Sequence, residues 1–98
     1  MVRLHWTAPA LLDLDEALDY ISGDNPKAAQ AVGRKIRKQI KLLSQFPNAG
    51  IAGRRENTRE LIIGGTPYTV IYTIEHDRKN HVIHILRIWH EKRAWPKH

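Results

Sequence analysis

Two apolar stripes of helical spacing meet at Ser22-Gly23-Asp24-Asn25-Pro26, and that junction leaves few folds open to the chain. The first stripe is Leu11, Leu14, Leu18 and Ile21; the second is Ala29, Val32, Ile36, Ile40 and Leu43. Residues that recur every three or four positions line one face of an amphipathic helix. Thr7 is a suitable N-cap for the first helix, with Pro9 in its first turn. Asn25 and Pro26 supply the same signals for the second, since proline's missing N–H is harmless there. The second helix runs to about Gln45 and ends before Pro47. A junction this short folds the two helices back on each other as an antiparallel hairpin.

Neither flank keeps the helical period. Val2, Leu4 and Trp6 alternate with Arg3 and His5, as in a half-buried strand. Phe46–Asn57 reads as a loop, from Pro47, Gly50 and Gly53. Three runs rich in β-branched residues follow: Thr58–Ile63, Tyr68–Ile74 and His81–Trp89. Gly64-Gly65 favours a tight hairpin turn, with Thr66-Pro67 entering the next strand, and Asp77–Asn80 separates the last two runs. His81–Trp89 is apolar on both alternating sets, which suits an interior strand. The expected architecture is a single α+β domain over 1–98, βααβββ, with the N-terminal strand and helical hairpin packed on a small, mainly antiparallel sheet.

Composition then narrows function. The absence of cysteine excludes disulfides, thiolate metal sites and thiol nucleophiles. No apolar run approaches the roughly 18 residues of a membrane span, so neither membrane insertion nor export is expected and the cytoplasm is the expected compartment. Sixteen Lys and Arg against ten Asp and Glu give a net charge of +6, which steers the chain towards polyanions or acidic proteins. Acids gather in the first helix (Asp13, Asp15, Glu16, Asp19, Asp24) and bases in the second (Lys27, Arg34, Lys35, Arg37, Lys38, Lys41), so partial pairing between the helices is expected. There is no Gly-x-Ser-x-Gly elbow, no phosphate-cradling loop and no His–carboxylate pair within either predicted helix, and neither metal nor cofactor is expected.

What remains is a cationic set at strand ends and in the tail: Arg54, Arg55, Arg59, Arg87, His90, Lys92 and Arg93, with Trp89 and Trp95 interleaved. Cations beside aromatic rings suit single-stranded nucleic acid, because charge tracks phosphates and rings stack on bases. A metal-free ribonuclease would use His90 as general acid or base, with Arg59 and Arg87 clamping the phosphate. In a protein-binding role the same region, through Arg87, His90, Arg93 and Trp95, would meet a protein target. Arg54, Arg55 and Lys92 would then serve a nucleic acid or an acidic partner.

The ordered set of motifs resembles the RelE/ParE superfamily of toxins from type II toxin–antitoxin systems. It comprises Trp6-Thr7, Asp24-Asn25-Pro26, Phe46-Pro47-Asn48-x-Gly50, Thr58-Arg59-Glu60-Leu61, Pro67-Tyr68-x-Val70-x-Tyr72, Ile85–His90 and Arg93-x-Trp95-Pro96. The resemblance spans essentially the whole chain. It implies a growth-arresting bacterial protein with a cognate antitoxin, and contact with operator DNA only through that antitoxin. Two branches share the fold: RelE-like members cut mRNA on the ribosome, and ParE-like members inhibit DNA gyrase without being enzymes. Where the RelE-like branch carries Lys or Arg after the loop, this chain has Glu60 and Ile62, and Thr69 follows Tyr68 in place of Arg. The chain is thus closer to the ParE-like branch, with a RelE-like endonuclease or a non-toxic antitoxin-binding module as alternatives.

Overall fold

The computed structural model describes residues 2–92. In chain order they form β1 (Val2–Trp6), α1 (Ala8–Asp24), α2 (Pro26–Leu42), β2 (Ile51–Ala52), β3 (Arg59–Ile62), β4 (Tyr68–Asp77) and β5 (Asn80–His90). The five strands make one sheet in the order β1-β5-β4-β3-β2. β1 runs parallel to β5, and the other neighbours are antiparallel. Both helices pack on one face of this sheet, giving the expected α+β arrangement with one strand added. That strand is β2, whose Ile51 and Ala52 pair with Glu60 and Arg59 inside the segment read as a loop. A two-residue strand is too short to leave a periodic signal; it exists because β3 offers it an edge.

Both helix starts follow their local signals. Thr7 Oγ1 accepts from Ala10 N at 3.3 Å, and Asn25 Oδ1 accepts from Ala28 N at 3.1 Å. The core joins Leu14, Ile36, Ile40 and Leu43 of the helical layer to Val70, Tyr72, Ile83, Ile85 and Ile88 of the sheet. β5 is interior, as its doubly apolar pattern implies.

Four details differ from the sequence reading. Leu11 is 50% exposed, and α1 instead buries Ala10, Leu14 and Ala17, so small side chains make the close contact. α2 ends at Leu42, and the following residues form hydrogen-bonded turns up to Phe46. The β3–β4 connection is longer than a two-residue turn. Thr66 N–H closes it on the Ile63 carbonyl at 3.2 Å, with Gly65 at φ +77°, a conformation that favours glycine. Finally, no ion pair among the described residues joins α1 to α2; Asp13 reaches β5 instead.

Candidate functional site

β1 stops opposite Ile85, leaving the last part of β5 with an uncovered edge. Local chemistry closes it. Thr7 donates to the Ile85 carbonyl through both its N–H (3.1 Å) and its hydroxyl (2.7 Å). Three residues into β5 from there, the Ile88 N–H donates to Asp13 Oδ2 at 3.0 Å. The same carboxylate takes Arg87 Nε at 2.7 Å and Arg87 Nη2 at 3.0 Å, a two-point clasp that matches a planar guanidinium to a planar carboxylate. This hydrogen bonding raises the Arg87 pKa above the ordinary arginine value, and burial opposes it. The Arg87 guanidinium also lies over Trp89, 5.4 Å from the ring centroid.

Arg54 is held twice. Its backbone N–H and side chain donate to the buried carboxylate of Glu60 (2.8 and 3.2–3.3 Å), and Nη2 also reaches Glu91 at 2.9 Å. The β2–β3 connection is thereby tied both to β3 and to the end of β5. Glu91 raises the pKa of Arg54, burial opposes that, and Glu60 adds to it. For Glu91, burial pushes its pKa upward, but the donors around it, Arg54 foremost, outweigh burial and leave it below the ordinary carboxylate value.

Arg59 has a third role. Its Nη2 donates to the carbonyls of Asn48 (3.0 Å) and Gly50, while the Tyr72 hydroxyl donates to the Pro47 carbonyl at 2.7 Å and accepts from Gly50 N at 2.9 Å. These bonds fasten the Phe46–Gly50 segment to the sheet. A Cβ on Gly50 would sit 2.7 Å from the Tyr72 hydroxyl and 2.8 Å from the Glu60 carbonyl, so this position admits only glycine without a shift.

The other predicted residues are placed as follows. His90 Nδ1 accepts from Lys92 N at 3.1 Å, and its ring packs edge-on to Tyr68 at 5.2 Å. Arg55 and Lys92 are exposed. Arg93 and Trp95 lie outside the described residues. Of the predicted set, Arg54, His90 and Lys92 gather around the end of β5, Arg87 turns to α1, and Arg59 serves the loop before β2. Sequence reasoning missed Asp13, Glu60, Glu91 and Tyr72 as partners. Glu60 alone carried a signal: an acid flanked by Leu61-Ile62-Ile63 in a strand needs a cation when buried.

An open groove of about 600 Å³ lies between the start of α1 and the sheet, lined by Thr7, Pro9, Arg55, Glu56, Thr58, Ile71, Leu86 and Arg87. Leu11, Leu12 and Tyr20 are exposed on α1, and Ile51 and Ile62 on β2 and β3. Two cross-strand histidine pairs, His5–His84 and His76–His81, bring Nδ1 atoms to 2.9 and 2.7 Å. No group of three or more His, Asp or Glu side chains converges as metal ligands among the described residues. No helix among them is long and apolar enough to cross a membrane.

A family model described as the ParE toxin of the type II toxin–antitoxin system parDE matches residues 4–95. The chain is 37% identical to the protein Y4kP of Sinorhizobium fredii, covering 97% of this chain and 94% of the relative. It is 31% identical to Toxin RelE2 of Caulobacter vibrioides over 95% and 99% of the two chains. Among solved structures it is similar to a chain of the chromosomal ParDE system of P. aeruginosa, with TM-score 0.78, 28% identity and coverage of 90% and 94%. A YoeB/ParE toxin from Agrobacterium tumefaciens shares the fold at TM-score 0.56 and 13% identity, over 88% and 94%. With its helical hairpin, its mixed sheet and a family match over nearly its full length, the chain belongs to the ParE toxin family of type II toxin–antitoxin systems.

Proposed function

We propose that this toxin arrests growth by binding DNA gyrase, without catalysis, in the cytoplasm, and that a cognate antitoxin neutralises it. The observation that carries this reading is the internal engagement of Arg54, Arg59 and Arg87. Cutting RNA without a metal requires fixed cations aimed at a phosphorane. Arg87 is clasped by Asp13, Arg59 holds loop carbonyls, and Arg54 lies between two carboxylates. At the position where a ribonuclease of this superfamily would carry a cation, Glu60 brings buried negative charge. The similarity to a ParDE toxin adds support. The 31% identity to a protein named Toxin RelE2 favours the alternative, an mRNA endonuclease working through His90.

In the gyrase reading, target contact falls on the end of β5 and the following residues, through His90, Lys92, Arg93 and Trp95, with Arg87 positioned by Asp13 to shape that end. The antitoxin covers exposed Leu11, Leu12 and Tyr20 on α1 and a sheet edge, because β1 is paired on one side only and β2 covers only part of β3.

The test is induction of the toxin without its antitoxin, following protein synthesis, DNA synthesis and DNA breakage in parallel over the first minutes. Early DNA arrest with double-strand breaks, and inhibition of purified gyrase in a supercoiling assay, are expected. Early loss of translation with intact DNA, abolished by His90→Ala, would overturn the reading in favour of the nuclease.

A further inference from the structure

The gyrase and antitoxin surfaces leave the outward face of α2 without a role, and that face is unusual. Lys27, Arg34, Lys35, Arg37, Lys38 and Lys41 are all exposed, and the helix contains no acid. None of the six forms an ion pair with a described residue. At 100° and 1.5 Å per residue, Lys27, Arg34, Lys38 and Lys41 fall within roughly 60° of arc and rise about 21 Å along the axis. The helix buries Ala29, Gly33, Ile36 and Ile40, so this cationic crest points directly away from the core. Arg37 and Lys35 flank it, one on each side.

A solvated helix face ordinarily mixes both signs. Here Arg34 and Lys38, and Arg37 and Lys41, stand at i, i+4, where like charges repel. An anionic partner relieves that repulsion, and the chemistry of the face selects which kind. A protein partner needs apolar anchors among the charges. Between Lys27 and Lys41 the exposed residues of α2 other than cations are Gln30 and Ala31, which offer none. A membrane surface needs the apolar side of an amphipathic helix, and α2 has buried its own in the core. A polyelectrolyte needs only charge at intervals along a line.

We infer that α2 is a docking surface for the phosphate backbone of double-stranded DNA, with the crest lying along the lip of the major groove. That groove, about 12 Å wide in B-form DNA, admits a helix, whereas the deep and narrow major groove of A-form RNA does not. Asp15, Glu16 and Asp19 are exposed on α1 and repel the duplex from that side, which confines the contact to α2. The toxin then contributes phosphate contacts of its own to any assembly on DNA, without reading sequence.

The test is fluorescence anisotropy of the full chain against a labelled 20-base-pair DNA duplex of arbitrary sequence, over a series of salt concentrations. Neutralising three phosphate contacts with Arg34→Gln/Lys38→Gln/Lys41→Gln is expected to reduce the slope of log K against log salt by about 2.7. The charge-matched variant Arg3→Gln/Arg78→Gln/Lys79→Gln is expected to keep most of the wild-type slope. Circular dichroism should show both variants folded, since every position changed is exposed. Equal losses in the two variants would overturn the proposal in favour of diffuse net charge. Absence of duplex binding, or equal affinity for an A-form RNA duplex, would overturn it as well. Gyrase inhibition by the α2 variant is expected to match wild type, so failure of this proposal is distinguishable from failure of the gyrase reading.

Discussion

Replacing Asp13 with alanine removes both acceptors of the Arg87 clasp and the carboxylate that satisfies the Ile88 N–H beyond the end of β1. Both side chains are mostly buried, 13% exposed for Asp13 and 28% for Arg87, so solvent screens the pair only in part. Hydrogen bonds to a charged group contribute about 1.5–3 kcal/mol, and an orphaned N–H at a partly buried edge adds roughly 1 kcal/mol. Asp13→Ala should therefore cost about 2–4 kcal/mol, which for a chain this size lowers Tm by roughly 10–25 °C. Asp13→Asn keeps an acceptor for Ile88 and should cost about half as much. Urea unfolding of wild type, Asp13→Ala, Arg87→Ala and the double variant closes the cycle, with an expected coupling of about 1–2 kcal/mol. A cost below about 0.5 kcal/mol for Asp13→Ala would place it with ordinary surface substitutions and refute the idea that Arg87 is committed to the fold.

Further outcomes follow from the same contacts. Tyr72→Phe strips the Pro47 carbonyl and the Gly50 N–H of their shared partner and should lose about 1–3 kcal/mol. Hydrogen exchange should localise the loosening to residues 46–50; unchanged protection there would count against the anchoring role. Glu91 has a depressed pKa in the folded chain, so its contribution is present above its unfolded value of roughly 4.3 and is lost as pH falls through the folded value. Tm measured from pH 6 to pH 3 should fall less steeply in Glu91→Gln than in wild type, and parallel curves would refute the assignment. Leu11→Ser/Leu12→Ser changes exposed side chains, so stability should move by less than about 1 kcal/mol. Calorimetric titration should nonetheless show weakened antitoxin binding; unchanged affinity would remove α1 from that interface.

The elements that were legible in the sequence are those whose causes are local. Thr7 and Asn25 cap their helices through bonds three residues long, and the apolar run of β5 belongs to a strand paired on both sides. What depends on distant chain was not legible. Periodicity located the apolar stripe of α1 but not its edge, because Ala10 and Ala17 make the close approach that spacing credits to Leu11. β2 needs the edge of β3 to exist at all. The cations present the same difficulty in sharper form: Arg87 meets Asp13 across 74 residues and Arg54 meets Glu91 across 37, so a count of charges suggests an open anion site where the fold has neutralised it.

The parallel pairing of β1 with β5 also sets the order in which the molecule can be finished on the ribosome. Val2 pairs with His81, Trp6 with Ile85, and among the described residues β1 has no other neighbour in the sheet. β1 therefore waits for β5 before it gains a single inter-strand bond, and Asp13 waits with it for Arg87 and Ile88. Until β5 has been made, the helical hairpin can pack only on β2–β4 and lacks Ile83, Ile85 and Ile88 of its core, and contacts this distant in sequence form slowly. A copy translated only as far as β4 therefore lacks both the end of β5 and the Arg87–Asp13 clasp that braces it.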